Sequence, residues 1–460
     1  VPDERPPPRI RRLDAPRPDL LRLAAADPAR HPFLLETASP GGARARFDLL
    51  AVADGRALVL HADGRLTDSS GLPPCAGGFL ASLDRWFAAE RAREPADAPG
   101  GALPFDGGWF VYLGYELAGA IEPRLRLPRS EGIVACALRA PAAVVHDHAT
   151  QVTWLVAEPG EEWRLDGLEE AVRGAAATTA ELAALGLALT EDPPERYLAA
   201  VRAALEHVAA GDVYQVNLAR AWRGRLPADV TPADLYARLR RANPGPFAGF
   251  AALPGGRHVL STSPERLVES RGGVVSTRPI AGTRPRRGDD AGTIAELRAN
   301  LKERAEHVML VDLERNDLGR IAEAGTVVVD ELMTVESYAH VHHIVSNVRA
   351  RRRADVTPGV VVAALFPGGT ITGCPKVRCM EIIAALEGEA RGAYTGSFGY
   401  LSRDGALDLN ILIRTATVAD GLVEVRAGAG IVADSDPVRE LDETRAKARG
   451  LLAGLDGRRP

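Results

Sequence analysis

Apolar positions along this chain recur with two periods, and segments of each period are grouped in blocks. Residues 47–60 and 107–115 are nearly continuous apolar runs that read as strands, and 144–157 alternates in part. Residues 213–220 alternate cleanly, with Tyr214, Val216 and Leu218 facing one way and Gln215 and Asn217 the other. Further strands are expected at 257–268 and 273–280 around a Gly-Gly turn, and at 393–401, 407–418 and 422–427 with turns at Asp404-Gly405 and Asp420-Gly421. Helical character marks the Ala-rich 165–187, the long 293–321 and a closing segment at 435–452. Another helix follows residue 192: Asp192 is placed to cap it, Pro193 and Pro194 fit its first turn, Tyr197, Val201, Leu205 and Val208 share a face, and Gly211 ends it. Runs of strands joined by tight turns, with helices between the runs, predict an α+β fold of antiparallel sheets covered by helices.

A chain of 460 residues suggests two or three domains, and a soft boundary near residue 190 divides 1–190 from 191–460. Residues 1–18, rich in Pro and Arg, read as an extended, poorly packed arm, and 95–100 as a loop. A hydrophobic share of 46% is that of a soluble globular protein. No apolar run reaches a membrane span and no basic-then-apolar signal opens the chain, so a cytoplasmic location without membrane association is expected. The four cysteines are scattered with no CxxC pair, which disfavours zinc and a disulfide framework. A net charge of −5 argues against a nucleic-acid partner, and the basic clusters at 284–287 and 349–353 read as solvated loops.

Candidate chemistry gathers in a few places. Residues 366–383, FPGGTITGCPKVRCMEII, combine a flexible Gly368-Gly369 loop, two threonine hydroxyls and Pro375 at the start of a helix. A glycine loop feeding a helix N-terminus suits an anion, although the same composition also makes plain turns. Glu303 and Glu306 are three apart on one predicted helix; Glu440 and Glu443 repeat the spacing on another, with Lys447 a turn further on. Two such faces offer four carboxylates to a hard cation such as Mg²⁺, and are equally the faces of solvated helices. Glu265, in STSPE, is a carboxyl at a strand end or turn. Arg414 is read as lying within the 407–418 strand, on the face of Asn410 and Leu412, where an inward guanidinium calls for a carboxylate, either a ligand's or the protein's own.

The loop PGG-T-ITG-CPKVR, together with KERAEH and ELDETRAKA, resembles the chorismate-utilising enzymes: anthranilate synthase component I, aminodeoxychorismate synthase component I, isochorismate synthase and salicylate synthase. The resemblance is dense from about 213 to 452 and visible at 32–52 and 107–128. It implies two large antiparallel sheets stacked face to face with helices outside. It implies that Glu306 and Glu443 bind Mg²⁺ directly, with Glu303 and Glu440 acting directly or through water. By the same match Glu265 is the general acid or base at the departing hydroxyl, and His343, in HVHHIVS, orients or protonates groups near the ring. Thr283, Thr370, Tyr394, Arg414, Gly428, Gly430 and Lys447 fall at substrate-binding positions. Gln215, in YQVNL, stands where isochorismate and salicylate synthases carry a lysine base; an amide cannot activate water, which favours ammonia as nucleophile. Ala281, in PIAGT, stands where many aminodeoxychorismate synthases have an attacking lysine and anthranilate synthases have alanine. The glycine loop, RFDLL at 46–50 and chain length are nearer to aminodeoxychorismate synthase component I. LLET at 34–37 stands where anthranilate synthases carry LLES in a tryptophan-inhibition pocket. No G-x-C-x-G glutaminase nucleophile is present, so ammonia is expected from a separate class I glutamine amidotransferase subunit or from solution.

Overall fold

A computed structural model describes residues 8–14, 17–37, 46–73, 75–92, 103–175, 185–286, 290–337 and 341–456. Two large antiparallel sheets dominate it. The first has twelve strands, in the order Arg9–Leu13, Val152–Ala157, Ala142–Asp147, Phe47–Val52, Phe33–Glu36, Phe247–Leu253, Arg257–Ser263, Thr415–Ala419, Leu422–Ile431, Gln215–Arg225 and Thr190–Glu191, with Gly373–Cys374 beside Gln215–Arg225. The second has eleven: Ile280–Pro285, Val341–Arg351, Val274–Thr277, Arg266–Arg271, Leu407–Asn410, Ser397–Ser402, Gly108–Leu113, Ile133–Ala140, Ala57–His61 and Leu66–Asp68, with Val328–Ser337 beside Val341–Arg351. Both sheets draw strands from either side of residue 190.

The facing surfaces of the two sheets meet in one core. Phe33, Leu49, Val145 and Val259 of the first sheet pack against Phe110, Cys136, Leu138 and Phe398 of the second, each large side chain contributing on the order of 1.5–3 kcal/mol by its burial. Helices cover the outer faces. Arg164–Gly174, Pro232–Ala242 and Pro437–Asp456 pack on the first sheet, and Gly78–Glu90, Leu301–Gly319 and Pro358–Leu365 on the second. Near the end of the first sheet Pro194–Ala209 and Lys376–Glu387 pack over Val216, Leu218, Ala429 and Ile431. Strand alternation therefore turns Gln215, Asn217, Gly428 and Gly430 to the opposite face, and Asn217 sits directly across from Gly430.

Several expected elements are divided. The runs 47–60, 257–268 and 407–418 are each two strands, and in each the chain leaves one sheet for the other. In the last two the apolar pattern does not mark the break because the crossing segment runs through the interior: Glu265, Ile411 and Leu412 are as buried as the strands beside them. Arg414 is thus in no strand. It lies at the end of the second crossover with φ 51°, in the left-handed region, and the expected common face with Asn410 does not exist. The 293–321 segment is two helices, Asp290–Ala299 and Leu301–Gly319. Asp192 does not cap the helix that follows it: Pro193 is the cap residue, and the Asp192 carboxylate accepts from Ala221 N at 3.0 Å and Arg223 at 2.7 Å. The amino-terminal arm is packed where it is described, since Arg9–Leu13 pairs with Val152–Ala157 and Leu13 is buried. The loop at 95–100 and the stretch 176–184 of the expected Ala-rich helix lie outside the described residues. Among the described residues no helix is long and apolar enough to cross a membrane.

Candidate active site

Two crossovers between the sheets run side by side and carry the first group of polar residues. Ser263 Oγ donates to Ile411 O at 2.6 Å, Ile411 N to Glu265 O at 3.0 Å, and Thr262 N to Arg414 O at 3.0 Å. Glu265 and Arg414 are thereby held on adjacent segments. Glu265 is 5% exposed. Burial pushes its carboxyl up to about 8, reinforced by the neighbouring Glu314 and opposed by Thr370, whose Oγ1 donates to Glu265 Oε1 at 2.8 Å. A carboxyl in this environment holds its proton at neutral pH and is an acid rather than a counter-ion. Arg414 is partly exposed, feels the field of Glu265, and has no described carboxylate within ion-pair distance. The alternative of an internal salt bridge is therefore absent among the described residues, and the guanidinium remains available to an incoming anion.

His343 lies on the adjoining strand, 2% exposed, its backbone paired with that of Thr283. Burial, helped by the charge of Arg414, lowers its pKa to about 3, so the imidazole is neutral. Of the two roles expected for it, orientation suits a neutral ring; delivering a proton from an imidazolium does not. Ala281 is buried on the Ile280–Pro285 strand, which pairs with that of His343, and supplies no amine. Its neighbour Gly282 forms a bulge at φ 71°, where a Cβ would come within 3.0 Å of Glu303 Oε2. The side chain of Thr283 lies outside the described residues.

The second group sits on the Gln215–Arg225 and Leu422–Ile431 strands. A Cβ on Gly430 would stand 2.1 Å from Gln215 Nε2, and one on Gly428 2.9 Å from Tyr394 Oη, so the bare backbone at both positions makes room for these side chains. Gln215 Nε2 donates to Glu306 Oε1 at 2.9 Å. Lys447 Nζ donates to Gly428 O at 3.0 Å and pairs with Glu443 Oε1 at 2.8 Å. Glu440 is buried on the same helix near Tyr197. Glu303 Oε1 accepts from Arg284 at 2.7 Å, whereas its buried Oε2 has no hydrogen-bond partner.

The glycine loop joins the two groups. Thr370 holds Glu265, and Thr372 O accepts from Asn217 N at 2.9 Å. The loop does not present a row of open N–H groups as expected: Gly369 N donates to Glu314 Oε1 at 3.3 Å, and Thr372 Oγ1 turns back to Gly368 O at 2.9 Å. Glu314 and Asp317, buried beneath the loop with Lys376 paired to Asp317, were not singled out in the sequence. The available signal was their spacing of three on the helix that carries Glu303 and Glu306.

The joined constellation is a neutral carboxyl, a guanidinium open to an anion, and acidic side chains from two helices around a glycine-floored strand pair. A family model described as chorismate binding enzyme matches residues 32–453. The chain belongs to this family of chorismate-binding enzymes. It is similar to anthranilate synthase component 1 of Thermus thermophilus, at 41% identity over 456 residues covering 96% of each chain. It is also similar to aminodeoxychorismate synthase component 1 of Bacillus subtilis, at 36% identity over 453 residues covering 94% of this chain and 93% of the relative. The crystal structure of anthranilate synthase component I from Streptococcus pneumoniae superposes with a TM-score of 0.79 at 30% identity, covering 90% of this chain and 93% of that one.

As a chorismate-binding enzyme the chain also carries a cavity of about 410 Å³, lined by Leu35, Glu36, Thr37, Phe247, Arg266 and Tyr400 among others. Its lining includes the last three residues of the LLET segment and neither Glu306 nor Lys447. Whether Mg²⁺ suits the acidic group can be judged from its donors. Among the described residues no three acidic, His or Cys side chains already converge as a cation cage. The donor chemistry fits a hard cation nonetheless. Glu303 presents a buried, unpartnered carboxylate oxygen, while Glu306 and Glu443 are held by an amide and an amine that a cation could replace. Mg²⁺ commonly takes only one or two protein carboxylates and completes its shell with water and substrate.

Proposed function

We propose that this chorismate-utilising enzyme is the aminating subunit of an aminodeoxychorismate synthase, converting chorismate and ammonia to 4-amino-4-deoxychorismate and water. The observation that carries the amination reading is Gln215. Its amide faces the site and its Nε2 is committed to Glu306, so the group at this position can neither take a proton from water nor act as a nucleophile. Ala281 excludes a lysyl intermediate at its own position, so 4-amination uses another nucleophile or direct displacement by ammonia, and the second is the route taken in this proposal.

In this reading Glu265 protonates the departing ring hydroxyl, Thr370 holds that carboxyl in place, and neutral His343 orients the ring. Arg414 and Tyr394, with the backbone at Gly428 and Gly430, receive the enolpyruvyl carboxylate, and Thr283 lies beside the ring. Glu306 and Glu443, with Glu303 and Glu440 directly or through water, would hold Mg²⁺. When bound, the metal draws electron density through the ring carboxylate as the hydroxyl leaves.

C4 is assigned on the glycine loop and RFDLL, the two segments nearest to aminodeoxychorismate synthase. A second reading, amination at C2 with loss of pyruvate to give anthranilate, is favoured by Ala281 and by the name of the Thermus thermophilus relative. Mass and fluorescence analysis of the product from chorismate, Mg²⁺ and ammonium decides between them. The expected result is 4-aminobenzoate that appears only after an aminodeoxychorismate lyase is added. Anthranilate and pyruvate formed without lyase would replace the C4 assignment by the C2 one.

Ammonia is supplied in this proposal by a separate class I glutamine amidotransferase. Three of the cysteines are held as thiols: burial pushes Cys136 up to about 12 and also raises Cys374 and Cys379. The isolated chain should therefore turn over with ammonium salts at alkaline pH and not with glutamine, glutamine use appearing when the amidotransferase is added. Glutamine hydrolysis by the purified chain alone would overturn this assignment.

A further inference from the structure

Two buried amide oxygens in the site have no partner. Gln215 Oε1 and Asn217 Oδ1 both lack a hydrogen bond, although Gln215 is only 3% and Asn217 8% exposed. Leaving a buried acceptor unsatisfied costs ~1–3 kcal/mol, so a pair of them on one surface calls for a ligand that donates. The two side chains are two residues apart on one strand and share its face. The orientation of the Gln215 amide is dictated by chemistry: only its NH₂ end can face the Glu306 carboxylate 2.9 Å away, which leaves the carbonyl as the free end. Asn217 Oδ1 lies 2.7 Å from where a Cβ of Gly428 would stand, a point also 2.9 Å from Tyr394 Oη, so it borders the same glycine floor. Its backbone is clamped on both sides, N to Thr372 O at 2.9 Å and O to Arg391 at 2.8 Å.

We propose that Gln215 Oε1 and Asn217 Oδ1 form the seat of the attacking nitrogen, a small-donor site for ammonia. This rests on the amination reading above. Two carbonyl acceptors can take two N–H bonds of ammonia and leave its lone pair pointing away from them. In the displacement a C–N bond forms as the ring C–O bond breaks. The hydroxyl takes the Glu265 proton and departs as water. The new ammonium group then sheds one proton, which restores Glu265 by way of solvent. Positive charge develops on the nitrogen as the bond forms, so both acceptors bind it more strongly in the transition state than ammonia in the ground state. Water seated in the same place is the weaker nucleophile, since its attack requires a base and neither amide is one. The pair thus selects the nucleophile as well as holding it.

The test uses the full chain with ammonium chloride as varied substrate, in comparison with Asn217→Leu, which keeps the volume and removes the acceptor, and Asn217→Asp, which keeps an acceptor. Loss of one hydrogen bond to a group that acquires charge should raise the KM for ammonium, or lower kcat/KM for it, by roughly 10- to 100-fold in Asn217→Leu. The KM and calorimetric Kd for chorismate should stay within about twofold, and Asn217→Asp should restore much of the loss. Gln215→Met serves as the second variant should Asn217→Leu not fold, with the same expected shift for ammonium. An unchanged ammonium dependence in a folded variant would overturn the proposal. So would a loss that falls on chorismate affinity instead, or one equally severe in Asn217→Asp, which would mark a packing role. If the wild-type chain forms no aminated product from ammonium at all, the amination reading itself fails, an outcome distinct from any of these.

Discussion

Glu265→Gln is expected to lower kcat for chorismate amination by roughly 10²- to 10⁴-fold, the usual worth of a positioned general acid. The amide has nearly the same shape and can still accept from Thr370, which donates to Oε1 at 2.8 Å, but it has no proton to deliver. The wild-type enzyme at saturating ammonia should lose activity as pH rises through about 8, where Glu265 ionises, and this descending limb should be missing from the residual activity of the variant. The same replacement should raise stability. The folded protein holds a proton on Glu265 between the ordinary value of 4.5 and about 8, whereas the unfolded chain has released it. Native protein then binds more protons than unfolded protein, so this group makes stability fall as pH rises across that window. Replacing the carboxyl by an amide removes that term, and Glu265→Gln should unfold at a higher temperature than wild type at pH 8 with little difference at pH 4.5. A variant that keeps wild-type kcat, or whose thermal midpoint drops at pH 8, would contradict the description of Glu265 as a buried neutral acid.

The paired replacement Glu306→Ala and Glu443→Ala is expected to abolish turnover nearly completely. If these carboxylates hold Mg²⁺, their loss removes several kcal/mol of transition-state charge stabilisation, ~10³-fold or more in rate. The fold should survive, because Glu443 is about half exposed and Glu306 is partly exposed. A readout independent of turnover is the thermal midpoint. Mg²⁺ at 100 times its Kd should stabilise the wild-type chain by ~2.7 kcal/mol, and this increment should vanish in the double variant. Glu303→Ala and Glu440→Ala should weaken the same response more modestly. Wild-type, magnesium-dependent turnover in the double variant would show that the metal lies elsewhere.

Much of the site was readable as residues and little of it as geometry. STSPE announced a carboxyl at a strand end or turn, but a carboxyl at a turn is ordinarily exposed. Glu265 is buried because the chain crosses between the sheets at that point, alongside the second crossover that carries Arg414. The reading of 407–418 as one strand failed for the same reason. A segment that traverses the interior needs apolar residues as much as a strand does, so Ile411 and Leu412 continue the pattern through the break. Asn217 was seen only as the polar face of an alternating strand. Its unpartnered oxygen becomes visible once Gly428 is known to lie beneath it.

Local regularities were already present in the order of residues: the strand and helix periods, the glycine-floored turns, the three-residue carboxylate spacing, and the absence of a base at Gln215 and of an amine at Ala281. These follow from side-chain chemistry and from repeats spanning a few residues, and no long-range contact can alter them. The assembly of the site belonged to tertiary structure. Glu306 meets Gln215 across 91 positions and Thr370 meets Glu265 across 105, distances over which no sequence period carries information. The pKa of Glu265 follows from burial between packed sheets, a property of surroundings drawn from the whole chain rather than of the five residues that contain it.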